Sequence, residues 1–401
     1  MLPPLETKKY AEYAENEIKF ICTNFKRRYA ASKTEREATE YLQKQIEENK
    51  WADKTEMQKF RVNPHAFMLF TKIVPPIMIA GGVLFFINPI ITLSCTVFSF
   101  FIWITSQVFY MQIVDFFMPK KPSQNLIATR KSSGTTKRRI IFGGHIDAAH
   151  EWQLFRFLGN FGFKLVILIS ILSMCFAVAI SIAVIAEVTY HWWMSIVLGV
   201  LISSHVFILF FNNFHHIVDG ANDNMTGTMI SVAIIKYLSD KGIRFENTEV
   251  IALVTGAEEA GVRGAKAYAK QNKATLTDPN IETVFIAVET IRDFHYFKIC
   301  DRDMNGIVAC DKRAVKLLDK ASEQLFGTPL PHITIFPGAS DAAALQKAGI
   351  PSVCLSGMDP KPSKYYHTRY DNANNLDVRS INRGIDICLK SLEIFDEHGL
   401  A

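Results

Sequence analysis

The segment RIIFGGHIDA, residues 139–148, joins a strand-like run to two polar side chains. Its first six residues combine isoleucine, phenylalanine and a glycine pair, which is typical of a short buried strand that ends at a turn. His145 and Asp147 follow at once, so polar side chains stand where the strand ends. In open α/β sheets, ligands bind just outside the carboxyl ends of the strands. The segment therefore predicts one strand of such a sheet, with a functional loop after it.

Other segments of the chain have the same strand-like character. They are MQKFRV (57–62), NLIAT (125–129), EVIALVTG (249–256), TVFIAV (283–288), HITIF (332–336) and SVCLS (352–356). Helical patterns are predicted over 6–50, 226–240, 261–272, 311–326, 341–348 and 379–398. Strands that alternate with helices predict an α/β fold, with a mixed, mostly parallel sheet covered by helices on both faces.

Further imidazole and carboxylate side chains follow the predicted strands. Glu258 and Glu259 come after EVIALVTG, Glu289 after TVFIAV, and His367 lies in YYHTRYDN beyond SVCLS; Asp223 lies in the loop DGANDNMTG ahead of a helix. Each has an ordinary structural explanation, since GAEE can place charge at a helix N-terminus and DGANDN can be only a turn. Their occurrence together on one predicted sheet edge favours a shared site.

Two histidines and three carboxylates suit a pair of divalent metal ions. Neutral imidazole and carboxylate oxygen are ligands of zinc, and a shared carboxylate can bridge two ions roughly 3.5–4 Å apart. Such a site also needs a carboxylate that accepts a proton from water and passes it on. The adjacent Glu258 and Glu259 could supply one metal ligand and one base, and Asp147 could orient His145.

With these residues in this order, the sequence resembles the M28 family of zinc peptidases. The resemblance rests on GGHIDA (143–148), GANDNMTG (220–227), TGAEEAGVRGAKAY (255–268), FPGASDAAALQKAGIPS (336–352) and YYHTRYDN (365–372), and the stretch FKRRYAASKTEREATEYL is similar to the opening of that family. It covers residues 1–66, 115–153 and 213–401, which are expected to form one discontinuous zinc peptidase domain.

The resemblance implies a role for each site residue and two zinc ions. His145 and Glu289 would bind one ion, Glu259 and His367 the other, and Asp223 would bridge them. Glu258 would be the general base and later the acid, while Asp147 would orient His145. Many family members have Asp where this chain has Glu289. Asp219 is the competing bridge, but only Asp223 fits the family pattern D-x-x-[ST]-G.

Two apolar windows, about 67–117 and 154–211, interrupt the peptidase-like sequence. The first divides at Asn88-Pro89 into spans 67–87 and 90–114, and the second divides near 187–191 into spans 165–186 and 192–211. Each is close to the roughly 20 residues that cross a bilayer as a helix. The sequence predicts two transmembrane hairpins, 67–114 and 154–212, and four transmembrane helices.

The positions of the positive charges predict the orientation of these hairpins. Their tips contain no Lys or Arg, whereas the other ends are flanked by Lys59, Arg61, Lys120, Lys121, Arg156 and Lys164. The positive-inside rule then places the catalytic domain in the cytoplasm of a multi-pass membrane protein.

Composition supports a membrane protein with a folded polar domain. The 401 residues are 49% hydrophobic and 21% charged, which excludes a disordered or collagen-like chain. A net charge of +5 without a dense basic stripe gives no reason to expect nucleic acid as a partner. Seven scattered cysteines without a CxxC pair favour a reducing compartment over a disulfide framework.

The predicted function is that of a membrane-embedded di-zinc exopeptidase, foremost an aminopeptidase. Its partners would be a peptide substrate and the lipid bilayer. Because His145 and Asp223 are close in sequence to the second hairpin, hydrophobic or membrane-derived peptides are candidate substrates. Glutaminyl cyclase and carboxypeptidase activities remain alternatives, as does a catalytically silent receptor or scaffold. A transporter is disfavoured by the four spans without an inverted repeat.

Overall fold

The computed structural model describes residues 6–188, 190–361 and 364–400. The strands are β1 (Lys54–Val62), β2 (Lys121–Arg130), β3 (Arg138–His145), β4 (His150–Glu151), β5 (Asn213–Ile217), β6 (Thr248–Thr255), β7 (Glu282–Ile291), β8 (Lys298–Asp303), β9 (Val308–Ala309), β10 (His332–Thr334) and β11 (Ser352–Gly357). The helices are α1 (Lys8–Asn24), α2 (Lys33–Glu48), α3 (Phe70–Leu84), α4 (Pro89–Trp103), α5 (Gln153–Ile185), α6 (Trp192–Ile208), α7 (Thr226–Asp240), α8 (Arg263–Gln271), α9 (Lys273–Leu276), α10 (Lys312–Phe326), α11 (Asp341–Lys347) and α12 (Val378–His398).

The chain packs as two compact units, each assembled from separate stretches of sequence. The first unit combines residues 1–64, 120–149 and 217–401, and the second combines residues 65–119 and 150–216.

A mixed sheet organises the first unit. Its strand order is β1-β2-β6-β3-β7-β11-β8-β10, with β9 paired to β8. The central strands β6, β3, β7 and β11 are parallel neighbours, while β1, β2 and β8 join them in antiparallel pairs. The predicted α/β class is therefore confirmed, with the parallel strands at the centre.

Strand β7 shows why the sequences of the central strands are continuous apolar runs. Val284, Ile286 and Val288 point into the main hydrophobic core, and the alternate residues Phe285 and Ala287 are equally buried. Successive side chains of a strand point to opposite faces, so burial of both sets requires cover on both faces. Helix α7 packs on this strand, and α11 packs on β11 and β7.

Strands β4, β5, β8 and β9 were absent from the sequence prediction. The sequence of β8, KICDRD, contains four charged residues and lacks the apolar alternation that indicates a strand. It is a strand because it pairs with both β11 and β10. The predicted strand 332–336 is shorter in the structure, where β10 ends at Thr334.

The second unit contains helices α3 to α6, packed around an apolar cluster that includes Met78, Ile102, Ala177 and Ile202. Three helical stretches are long and apolar enough to cross a membrane: Phe67–Leu84, Pro89–Val108 and Gln153–Ile185. The fourth predicted span corresponds to the shorter helix Trp192–Ile208.

The helix limits differ most from the predicted spans at two ends. The second stretch ends at Val108 rather than 114, in a π-helical turn. The third begins at Gln153 rather than 165 and is interrupted by Gly159, whose φ of 64° lies outside the helical region.

Candidate metal centre

The ends of three neighbouring strands form the edge at which the predicted site residues meet. His145 is the last residue of β3, and its backbone pairs in register with Thr255, the last residue of β6. Glu258 and Glu259 follow β6, and Glu289 lies near the end of β7, the other neighbour of β3. Because β6, β3 and β7 are parallel, their carboxyl ends bring these side chains to one place.

Two three-residue groups at this edge share one carboxylate. In the first group, Nε2 of His145 lies 3.3 Å from Oδ1 of Asp223 and 3.9 Å from Oε2 of Glu289. In the second group, Nε2 of His367 lies 2.9 Å from Oδ2 of Asp223 and 3.4 Å from Oε1 of Glu259. The candidate ligand atoms within each group lie within 4.8 Å of one another. Asp223 thus offers a different oxygen to each group.

The loop that carries Asp223 is fixed by a buried carboxylate from the His367 segment. Asp371 accepts hydrogen bonds from the backbone N–H of Asn222 at 2.7 Å and that of Asp223 at 3.1 Å, and from the Asn222 side chain. The peptide bond between Asp223 and Asn224 is cis. Sequence reasoning did not single out Asp371, although it belongs to the same YYHTRYDN motif as His367.

The loop that carries Glu258 and Glu259 is held by two further carboxylates. Asp147 accepts from the backbone N–H of Glu258 at 2.9 Å and from that of Glu259 at 3.0 Å. Glu35, fully buried in α2, accepts from the N–H of Ala257 at 2.8 Å and from the Ser123 hydroxyl. Three successive N–H groups are therefore bound by carboxylate oxygens. Glu35 is not among the site residues predicted from the sequence.

His145 contacts Asp147 chiefly through the main chain. Its Nδ1 lies 3.0 Å from the Asp147 carbonyl oxygen and 3.6 Å from the Oδ1 carboxylate atom. The carbonyl is therefore the nearer partner that orients the imidazole, while the carboxylate serves the Glu258–Glu259 loop. Asp147 was predicted only to orient His145. The sequence pattern did not indicate that its carboxylate also holds the loop of Glu258 and Glu259.

Asn224 holds the carboxylate of Glu289. Its Nδ2 donates to Oε2 of Glu289 and to the Val288 carbonyl, both at 2.8 Å, and its Oδ1 accepts from the N–H groups of Gly227 and Thr290. The Glu289 side chain is thus anchored at its tip.

Charge and burial at this edge fit a divalent cation. Burial raises the pKa values of Glu258, Glu259 and Glu289 well above the ordinary range, so these carboxyls resist ionising together without a cation. Oε1 of Glu259 and Oε1 of Glu289 are buried and accept no hydrogen bond from the described residues. Although burial opposes it, contacts with His145 and His367 lower the pKa of Asp223.

Several solved structures share the fold of this chain. An aminopeptidase from Aneurinibacillus sp. strain AM-1 matches with a TM-score of 0.57 and 14% identity, covering 97% of this chain and 96% of the other. BSAP, a zinc aminopeptidase from Bacillus subtilis, matches with a TM-score of 0.57 and 12% identity, covering 95% and 94%. A glutaminyl cyclase from an Acidobacteriales bacterium matches with a TM-score of 0.57 and 13% identity over 100% of both chains.

The model of peptidase family M28 matches residues 198–392. The chain is therefore similar to peptidase family M28 over just under half of its length. The matched stretch contains Asp223, Glu258, Glu259, Glu289 and His367, and it begins after His145 and Asp147. A comparison with curated proteins yields no match.

The match to the M28 model and the shared fold give this chain an M28-type peptidase fold, and the roles of its residues stay to be tested. At 12–14% identity, the likeness to aminopeptidases and a glutaminyl cyclase concerns the fold alone. The roles of the two histidines and the carboxylates remain predictions, which the geometry now makes specific.

Proposed function

We propose that this protein is a zinc-dependent exopeptidase embedded in a membrane, and that it removes residues from the N-terminus of peptides. The observation that carries the proposal is the sharing of Asp223 between the His145–Glu289 pair and the His367–Glu259 pair. A carboxylate with one oxygen toward each histidine is the arrangement that two bridged ions require.

The donor set suits zinc in both halves of the site. His145, Asp223 and Glu289 would hold one ion, and Asp223, Glu259 and His367 the other, through imidazole nitrogen and carboxylate oxygen. When bound, such ions polarise a peptide carbonyl and lower the pKa of a coordinated water toward neutrality. Three protein ligands for each ion leave room for water and substrate.

Glu258 is placed to handle the proton. Its Oε2 lies 3.8 Å from Nε2 of His145. Glu258 forms a third close group with His145 and Glu259, and it is absent from the two groups that share Asp223. Burial raises the pKa of Glu258, which favours a carboxyl that can accept a proton from water and later donate it to the leaving amine. Asp147, through two backbone N–H groups, keeps Glu258 and Glu259 in fixed relative positions.

The second unit would be the membrane anchor, with four transmembrane helices. Small polar side chains lie inside it and large apolar side chains outside, which is the distribution expected of helices packed in lipid. The buried polar residues include Thr92, Thr96, Ser99, Ser173 and Ser181, and the exposed apolar residues include Phe86, Phe98, Leu168, Ile182 and Val200. The positive-inside rule places the peptidase unit in the cytoplasm.

The orientation has a direct test in cysteine labelling. Asn88→Cys and Glu187→Cys would be introduced singly at the two tips, in a background where Cys95 and Cys175 are replaced by Ser. In intact cells, a membrane-impermeant maleimide should label both tips from outside. Labelling only after the membrane is permeabilised would reverse the proposed orientation.

The substrate would be a hydrophobic peptide or a fragment derived from a membrane protein. The second hairpin lies between His145 and Asp223 in the sequence, so the chain that carries two metal ligands continues directly into the membrane anchor. Glutaminyl cyclase activity is the second candidate because a solved glutaminyl cyclase has the same fold. Two complete ligand groups favour the hydrolase.

Mass spectrometry of a mixed peptide pool incubated with the purified protein tests this function. Stepwise loss of N-terminal residues, absent with Glu258→Ala, is the expected result. Loss of about 17 Da, the mass of ammonia, from peptides with N-terminal Gln would instead indicate the cyclase, and trimming at the other end a carboxypeptidase. Zinc binding without any of these reactions, even on apolar peptides in liposomes, would contradict the proposal.

A further inference from the structure

A fully buried arginine lies in the loop between α1 and α2. Arg28 is 1% exposed, which makes it one of the largest side chains buried in the first unit. Within the described residues, it forms no ion pair with a carboxylate at 4.0 Å or less. A buried cation without an opposite charge is costly unless other groups satisfy its donors.

Backbone carbonyl groups satisfy this guanidinium, and two of them belong to the loops that carry metal ligands. Nε donates to the Ile146 carbonyl at 3.1 Å, and Nη2 donates to the Asp219 carbonyl at 2.5 Å. Nη1 donates to the carbonyl of Phe25. The Arg28 carbonyl in turn accepts from the N–H of Ala148 at 2.9 Å.

The two loops held by Arg28 lead directly to the first group of ligands. Ile146 follows His145, and Asp219 precedes Gly220, whose left-handed conformation (φ 61°) begins the turn that contains Asp223. Residues 150–216 separate these loops in sequence, so no local turn fixes the distance between them. Beside the arginine, the N–H of Val218 donates to the Ala149 carbonyl at 3.0 Å.

We propose that Arg28 is a positioning residue for the His145–Asp223 half of the metal centre. By binding Ile146 and Asp219 at once, its planar fork sets the separation of His145 Nε2 from Asp223 Oδ1, which is 3.3 Å. A lysine keeps the charge but cannot bind both carbonyls in the same fixed geometry. The inference rests on the proposed function, since it assumes that these ligands bind zinc.

The other half of the centre has separate support. Asp371 accepts from the N–H of Asp223, and Asp147 accepts from the N–H of Glu259. These contacts do not involve Arg28. Loss of the guanidinium should therefore lower the affinity for the ion at His145 and Glu289 more than the affinity for the ion at His367 and Glu259.

Zinc affinity of the full-length protein, measured by competition with a chelator, tests this inference. Arg28→Lys would be made in two backgrounds: His367→Ala, which leaves the His145 half, and His145→Ala, which leaves the His367 half. We expect Arg28→Lys to weaken zinc affinity 10- to 100-fold in the first background and to change it little in the second. Groups that orient metal ligands typically change metal affinity by that factor. Cobalt substituted for zinc should show an altered absorption spectrum only in the first.

Arg139→Lys is the matched control. Arg139 is also buried, at 5% exposed, and lies at the opposite end of β3, where it pairs with Glu249 and donates to the Thr275 carbonyl. It should destabilise the fold without changing either zinc constant. Arg28→Gln, which removes the charge, provides a second variant and should weaken the His145 half at least as much as Arg28→Lys.

Several results would overturn the role of Arg28. Unchanged zinc constants in both backgrounds would do so, as would equal losses in both, or the same loss in Arg139→Lys. Failure of both Arg28 variants to fold at saturating zinc would show that the residue supports the fold rather than the metal centre. A wild-type protein that binds no zinc would instead refute the proposed function itself.

Discussion

Oδ1 of Asp147 accepts a 2.9 Å hydrogen bond from the backbone N–H of Glu258, although the two residues are far apart in sequence. Oδ2 of the same carboxylate accepts from the N–H of Glu259 at 3.0 Å. One buried side chain after β3 therefore fixes the main chain of the proposed base and of the neighbouring metal ligand. The contact links the positions of the two loops on adjacent parallel strands.

Replacing Asp147 with Asn should reduce turnover while the protein still folds. The amide retains one acceptor oxygen but presents an NH2 group to the second backbone N–H, which leaves two donors facing each other. We expect kcat to fall about 10- to 100-fold, with two zinc ions retained at saturating metal. Steady-state kinetics and metal analysis on the same preparation measure both quantities.

Asp311→Asn is the control for this substitution. Asp311 also accepts from two consecutive backbone N–H groups, those of Arg313 and Ala314, but it does so at the start of α10. Its replacement should lower stability slightly and leave kcat unchanged. If both substitutions reduce kcat equally, the effect of Asp147 is on general stability and not on the Glu258 loop.

The isosteric changes Glu258→Gln and Glu259→Gln should separate proton transfer from metal binding. Glu258→Gln should lower kcat by about 10²- to 10⁴-fold with zinc retained, because it removes a general base. Glu259→Gln should weaken zinc binding, because it removes a charged ligand beside His367. Zinc titration and steady-state kinetics of the two variants measure both effects. Weaker zinc binding in both variants would show that the two residues do not have separate roles.

His367→Ala should leave one zinc ion per chain instead of two. Its Nε2 is placed with Oε1 of Glu259 and Oδ2 of Asp223, and the His145 group is complete without it. Elemental analysis after equilibration with a moderate zinc excess measures the change. His332→Ala is the control, since His332 pairs with Asp319 away from the centre and should leave the stoichiometry unaltered. A His367→Ala protein that still binds two ions would contradict the assignment.

Glu289→Asp should weaken the binding of one zinc ion in this chain. Asn224 is placed to donate to the tip of the longer side chain at 2.8 Å, and the shorter carboxylate would retract from it. An affinity loss of about tenfold is expected in the His145 half, with the His367 half unchanged. Chelator competition measures it. Equal or tighter binding would mean that the extra methylene group plays no part in holding the ion.

The central strands could be predicted from the sequence because their signals are local, and the candidate ligands, which stay predictions, follow from where those strands end. The run TVFIAV and the carboxylate after it predict β7 and Glu289 without knowledge of any partner. Arg28, Glu35 and Asp371 act through hydrogen bonds to segments far away in the chain, and no spacing in the sequence indicates such contacts. Strand β8 was missed for the same reason, since it owes its conformation to pairing with its neighbours.

Asp303 should make the stability of the first unit depend on pH in the acidic range. It is fully buried at the end of β8, where it accepts from the N–H of Ser340 at 3.0 Å and from the Ser340 hydroxyl at 2.5 Å. Burial nevertheless raises the pKa of Asp303 to about 6, above its ordinary value of 3.8. The folded state therefore binds a proton more readily than the unfolded state, and this contribution to stability grows as the pH falls from about 7 to 4.

Thermal unfolding of wild type and Asp303→Asn at pH 7.5 and pH 5 tests this dependence. The asparagine variant cannot titrate, so the wild type should gain about 1 kcal/mol relative to it between the two pH values, or about 2 °C in Tm. Any stability that bound zinc contributes is lost equally from both proteins on acidification, so it cancels in the difference. A difference in Tm that stays constant, or that moves in the variant's favour at pH 5, would show that Asp303 is ionised in the folded protein throughout this range.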